Sequence, residues 1–232
     1  MSGDVFRMFT EMSADFDRKY GRDRNFEERF ECWSETINNH LVKGQKVYDL
    51  GCGPGVFSFY CASRGADVTG IDGSEGMVRL CNEKRAAIPL QVQEHLRFTR
   101  DILPLESTGL EPADMVLCSS VFEYVKNKDG MVKGFQSLLK PGGVLLVSVP
   151  NKKSVYRMLE KFSFNLFKRP RYLAHVFHRS DYGELAAEFA RYGFEPLEHR
   201  YYADSYRFSA FLKMVLGKRY TCNLLLVSFR KK

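Results

Sequence analysis

The run Asp49-Leu50-Gly51-Cys52-Gly53-Pro54-Gly55 limits the possible folds more than any other feature of the chain. It stands where the β-rich KVYDL gives way to a helical pattern beginning at Val56. Glycines at such a turn permit positive φ and close approach of the backbone to a ligand, and a helix starting there points free N–H groups at an anion. A tight structural turn would use the same residues. The dinucleotide-binding spacing requires a glycine at position 56, where Val56 stands, and this argues against a nicotinamide or flavin cofactor. Asp72 follows 17 residues after Gly55, at the end of the next β-rich run. A carboxylate placed there can accept hydrogen bonds from both hydroxyls of a ribose. Together the turn and Asp72 describe a nucleoside-bearing ligand with an anionic end.

Short β-rich runs then alternate with helical stretches, the pattern of a doubly wound, mainly parallel α/β sheet. KVYDL, ADVTGID, HLRFTR, ADMVLCSS, VLLVSVP, EPLEHRYY and NLLLVSF supply seven strands. Helices are expected over about 56–64, from Ser74 as N-cap to about 87, over about 127–139, and from about 180 to 192 before Gly193. Two further helices are predicted ahead of the sheet, over 5–20 and 26–42, the second with Phe26, Phe30, Trp33 and Ile37 at helical spacing. The predicted organisation is an N-terminal helical cap (1–42), an α/β core (43–150), a basic aromatic insertion (151–180), and a C-terminal helix with the last two strands (181–232).

Six cysteines at irregular spacings, with no Cys-x-x-Cys pair, suggest reduced, mostly buried thiols rather than a zinc site or a disulfide framework. The N-terminus lacks a signal-like apolar run, so a cytoplasmic protein is expected. The net charge of +7 raises the question of an anionic partner. Nearly all of the excess is local, because residues 150–182 hold eight basic residues against Glu160 and Asp181.

DLGCGPG, GIDGSEGM, DILPLE, ADMVLCSSVFEYV and LLKPGGVLLVSVPN resemble, in order, the motifs of class I S-adenosylmethionine-dependent methyltransferases, over roughly residues 45–150. The resemblance implies S-adenosylmethionine as cofactor. Asp49, Gly51, Cys52, Gly53 and Gly55 would then hold the methionine end and Asp72 the ribose. Gly73 and Met77 would pack near the adenine, Asp101 and Ile102 would meet its edge, and Ser119 would line the sulfonium side. Tyr20 is a candidate to face the cation. Asp101 has a plainer reading as a turn cap.

VFEYV followed by KPGG and PN resembles the branch holding the O-methyltransferases of ubiquinone biosynthesis, and implies O- or N-methylation of a small-molecule acceptor. Those enzymes carry a glutamate early in the segment and a Glu-His pair after it, implicated in metal binding. Here the segment reads Ser119-Ser120-Val121-Phe122-Glu123-Tyr124, so no metal is expected at that position. The absence of an Asn/Asp-Pro-Pro-aromatic motif argues against methylation of a flipped base. Three readings of the insertion stand: a helical lid over the acceptor, a surface for an acidic or membrane-associated lipid substrate, or a nucleic-acid contact. A non-catalytic binding domain of the same fold is a further alternative, which the intact glycine turn opposes. Tyr124, His175 and His178 are candidates to orient or deprotonate the acceptor, and each has a competing reading as a packing residue.

Overall fold

The computed structural model describes residues 24–105, 109–167, 171–204 and 214–232. The predicted helix over 5–20 and Tyr20 lie outside the described residues. One seven-stranded sheet organises the chain, in the order β3-β2-β1-β4-β5-β7-β6. The strands are β1 (Lys46–Leu50), β2 (Asp67–Asp72), β3 (Leu96–Arg100), β4 (Ala113–Cys118), β5 (Leu139–Pro150), β6 (Phe194–Tyr202) and β7 (Leu224–Lys231). Strands β1 to β5 are parallel, and β7 runs antiparallel to both β5 and β6. The helices are α1 (Arg24–His40), α2 (Val56–Ser63), α3 (Glu75–Ala86), α4 (Leu90–Gln93), α5 (Lys128–Leu138), α6 (Val155–Phe167), α7 (Tyr182–Ala190) and α8 (Lys218–Thr221).

Alternation along the central strands sends successive side chains to opposite faces, and each face has its own core. Val47, Val68, Met115, Leu117 and Leu146 meet Trp33, Ile37 and Phe57 on one face. Tyr48, Ile71, Val116, Leu145 and Val227 meet Phe135, Leu185 and Phe189 on the other. Each such fully buried apolar side chain contributes roughly 1.5–3 kcal/mol. The predicted apolar stripe of α1 is therefore a packing face. Its Trp33 stacks on Phe57 with ring centroids 4.9 Å apart and donates its Nε1–H to the Tyr202 hydroxyl at 3.1 Å.

Helix boundaries follow local chemistry. Ser74 caps α3 by accepting the Met77 N–H, as its sequence position predicts. Asp181 and Glu184 form a reciprocal capping box at the start of α7, so that helix begins slightly later than the sequence pattern suggests. Strand β5 begins earlier than expected: Leu139 already pairs with Ala113, and the Pro141–Gly142 stretch is absorbed as an irregularity between two parallel segments. All six cysteines are free, and five are buried.

The order of strands reverses between β1 and β4. A crevice opens at their carboxyl ends at such a switch point, flanked here by the glycine turn after β1 and the SSVFEY segment after β4.

Candidate active site

The glycine turn is held from below. The Gly51 and Cys52 N–H groups both donate to the Ile71 carbonyl, at 2.7 and 3.1 Å. Gly51, Gly53 and Gly55 have φ of 68°, 54° and 78°, a region costly for other residues. Their surroundings differ. A Cβ on Gly51 would lie 2.3 Å from a Val121 methyl, and one on Gly55 would press on Phe59, Cys81 and Phe98 at 3.0–3.1 Å. A Cβ on Gly53 would meet nothing within 4 Å. The turn is thus packed at both ends and open in the middle. Gly55 precedes α2 without any side-chain cap, leaving the first N–H groups of that helix for an outside acceptor.

Asp72 lies half-buried beside the turn. Its Oδ2 accepts the Gly53 N–H at 2.9 Å and its Oδ1 accepts the Ser74 N–H at 2.8 Å. A carboxylate offers about four lone-pair positions, so both oxygens retain capacity for ribose hydroxyls. Burial pushes its pKa up against these two bonds. Asp49 is fully buried and accepts the Ser58 hydroxyl proton at 2.6 Å. Burial pushes its carboxyl up to about 6. It ties β1 to α2 beneath the turn. The Cys81 thiol and burial raise the Cys52 thiol well above its ordinary range, so Cys52 contributes its backbone.

On the adenine side expected from the sequence, Met77 is buried, Gly73 is half-buried and Ile102 is exposed. Asp101 is tied to the end of β2 by its N–H on the Asp72 carbonyl, and its Oδ1 accepts the Ile102 N–H at 2.7 Å. The turn-cap reading of Asp101 therefore holds alongside any role at the adenine edge. An open cradle of N–H donors next to a carboxylate with spare lone pairs suits the carboxylate and ribose of S-adenosylmethionine.

Across the crevice, Ser119 is buried and clamped by Arg29 of α1. The Arg29 Nη2 donates to its hydroxyl at 2.7 Å and to its carbonyl at 3.1 Å. The next residue, Ser120, has φ of 56°, and its N–H donates to the Ser148 hydroxyl. A non-glycine residue held in this region is strain of the kind found at active sites. A 3₁₀ turn at Phe122–Tyr124 follows. The Glu123 carbonyl accepts the N–H groups of Phe177 and His178, at 2.8 and 3.4 Å, and so ties the end of the insertion to the turn after β4. The Glu123 side chain is buried, and its Oε2 has no hydrogen-bond partner among the described residues. Burial pushes its pKa up to about 7, against the pull of Arg157 and Arg29.

The sequence candidates for acceptor chemistry separate here. Tyr124 is half-buried beside Glu123. His178 shares its Nε2 with the Val125 carbonyl at 2.7 Å, which fixes the proton on that nitrogen, and its ring packs on Phe122. Burial lowers its pKa. It is bound into the return of the insertion, as its packing reading predicts. His175 ends the 3₁₀ segment Arg171–His175 and is half-buried. Arg29 was invisible as a site residue in the sequence, because only the fold brings it across 90 positions to Ser119. In sequence, Glu123 matches only the glutamate of the relatives' Glu-His pair, and nothing there marks it as buried.

The chain matches the methyltransferase-domain family over residues 22–199. It is a methyltransferase of that family. A ubiquinone biosynthesis O-methyltransferase of Acinetobacter baumannii is 31% identical over 175 residues, 69% of this chain and 72% of that protein. One from Bordetella avium is 30% identical over 169 residues, covering 71% and 67%. In fold, the chain is similar to a magnesium protoporphyrin IX methyltransferase from Synechocystis solved with bound SAH. The TM-score is 0.75 with 98% of both chains covered and 20% identity. The doubly wound fold and S-adenosylmethionine as cofactor, both implied by the motifs, are borne out by these relationships. Among the described residues no helix is long and apolar enough to cross a membrane.

Proposed function

We propose that this methyltransferase transfers a methyl group to a hydroxyl oxygen of a small-molecule acceptor held between the β4 turn and the insertion, with Glu123 taking the hydroxyl proton. The Glu123 carboxyl, buried just after β4 with its Oε2 unpartnered among the described residues, is the observation that carries this reading. The O-methyltransferase relatives support the choice of oxygen.

S-adenosylmethionine, when bound, supplies a methyl group on a positively charged sulfur, which needs no nucleophile from the protein. The uncapped start of α2 would receive its carboxylate and Asp72 its ribose. Arg29 holds Ser119 and the strained Ser120 in place, so the wall facing the transferred methyl is rigid. The acceptor oxygen gains a bond to carbon as the sulfur–carbon bond breaks, and its proton must leave. A carboxylate with a pKa near 7 is matched to that task at neutral pH. α6 and the Arg171–His178 stretch act as a lid that excludes water, with His178 as a fixed strut and His175 and Tyr124 placed to orient the acceptor.

A panel of phenols, hydroxy acids and amines tests the reading, assayed with labelled cofactor in the presence of a chelator. Transfer to a hydroxyl compound that is lost in Glu123→Gln supports it. Transfer to amines alone, or full activity in the variant, overturns it.

A further inference from the structure

Behind the turn after β4 lies a buried row of hydroxyl groups. Ser148 sits inside β5 between Val147 and Val149, with no exposed surface. Strand positions covered on both faces are ordinarily apolar, because a buried hydroxyl costs free energy unless it is hydrogen-bonded. Ser148 lies two residues beyond Leu146 and so faces the same side of the sheet, the side that packs Trp33 of α1. There the Tyr202 hydroxyl hydrogen-bonds the Ser148 side chain and accepts the Trp33 Nε1–H at 3.1 Å. The Ser148 oxygen also accepts the Ser120 N–H at 2.9 Å, and the two serine hydroxyls are 3.5 Å apart. Trp33 and the Ser120 amide can only donate, so Tyr202 accepts from the first and Ser148 from the second. One hydroxyl proton between Tyr202 and Ser148 closes the chain. Burial lifts the Tyr202 phenol to about 12, so it keeps its proton and serves as a link, not as an acid or base.

The chain ends on a strained backbone. Ser120 has φ of 56°, in the left-handed region that disfavours any side chain but glycine's hydrogen. Such a conformation persists only where its surroundings over-determine it. Two holds do so here, and both start on α1. Arg29 clamps Ser119 directly. Trp33, four residues further along and so on the same face of the helix, reaches Ser120 through Tyr202 and Ser148. Packing alone does not call for these hydroxyls: alanine at 148 and phenylalanine at 202 would fill nearly the same space with no polar group to satisfy.

We infer that Ser148 and Tyr202 are positioning residues for methyl transfer, holding Ser120 in its left-handed conformation and so fixing the turn after β4 against the methyl group of S-adenosylmethionine. They act through Ser120, not on the reacting atoms. The inference rests on the proposed placing of the transferred methyl beside Ser119 and Ser120, and is independent of the acceptor atom and of Glu123.

Calorimetry of the full chain with S-adenosylmethionine and with S-adenosylhomocysteine, no acceptor present, tests it. The two ligands differ by the methyl group and the charge on sulfur, and a polarised methyl gains weak C–H···O contacts from a wall that presents oxygen atoms. Ser148→Ala should lower affinity for S-adenosylmethionine about two- to fivefold relative to S-adenosylhomocysteine, whereas a general loss of structure would weaken both alike. Glycine adopts a φ of 56° without strain, so adding Ser120→Gly to Ser148→Ala should restore the ratio and raise the melting temperature. Tyr202→Phe should shift the ratio in the same direction and decides the matter if Ser148→Ala does not fold. An unchanged ratio in these variants overturns the inference. If Ser120→Gly nevertheless restores the melting temperature, Ser120 is held as described but the methyl lies elsewhere, and the proposed placing of the methyl falls with the inference. A shifted ratio that Ser120→Gly does not restore shows that Ser148 does not act through Ser120, which overturns the inference and leaves the proposed function standing.

Discussion

Replacing Glu123 by glutamine should make the protein more stable and much less active. The carboxyl is buried after β4 with its Oε2 unpartnered among the described residues, and burial lifts its pKa from an ordinary 4.5 to about 7. Over that interval the folded chain keeps a proton that the unfolded chain has released. Fewer protons are bound in the unfolded state, so the free energy of unfolding falls as pH rises through the window and levels off above it. At about 1.36 kcal/mol per pH unit, the full loss is ~3 kcal/mol. Glutamine keeps the shape and has no charge to desolvate. Glu123→Gln should therefore resemble wild type near pH 5 and exceed it by up to ~3 kcal/mol at pH 8, on the order of 10 °C in melting temperature. Asp49, lifted to about 6 by burial, adds a loss of the same sign in both proteins, so the difference between them is the informative quantity. Urea melts at the two pH values measure it, while turnover at saturating cofactor should drop by roughly 10²–10⁴-fold. No stability gain between pH 5 and pH 8 would show that Glu123 is not held uncharged. Retained turnover with the wild-type pH profile would remove it as the base.

Asp72→Ala should weaken S-adenosylhomocysteine binding about ten- to a hundredfold by calorimetry, because it removes the ribose acceptor and the bonds that hold Gly53 and Ser74. Gly51→Ala should cost at least roughly 1–3 kcal/mol, from its φ of 68° and the 2.3 Å approach to Val121. Adding Val121→Ala should restore part of that loss in a thermal melt, and no recovery would point to φ alone. His178→Ala should lower stability by about 1 kcal/mol through loss of its bond to the Val125 carbonyl, with turnover largely kept. Loss of one limb of its pH–rate profile would instead make His178 the base.

The succession of seven strands and the glycine turn beside Asp72 were legible because they rest on local signals. These are the glycines at 51, 53 and 55, the acidic end of β2, and the alternating apolar runs that fill both faces of the sheet. The acceptor wall was less legible. Arg29 reaches Ser119 only after α1 has folded against the sheet, and nothing near it in sequence marks that role. Glu123 resembles any polar residue in a turn until burial and the missing partner for Oε2 become visible. For α6, the helical period was clear, but period alone does not say which face looks inward. The paired Arg157 and Glu160 settle that direction.

The position of the transferred methyl in the product tests the central claim most directly. With carbon-13 in the methyl of S-adenosylmethionine, a chelator present and an accepted hydroxyl compound, the label should appear as a methoxy carbon. Its rate of appearance should fall as pH drops below about 7, the region where Glu123 takes up its proton. A label found on nitrogen, or transfer that requires an added divalent metal, would contradict the account.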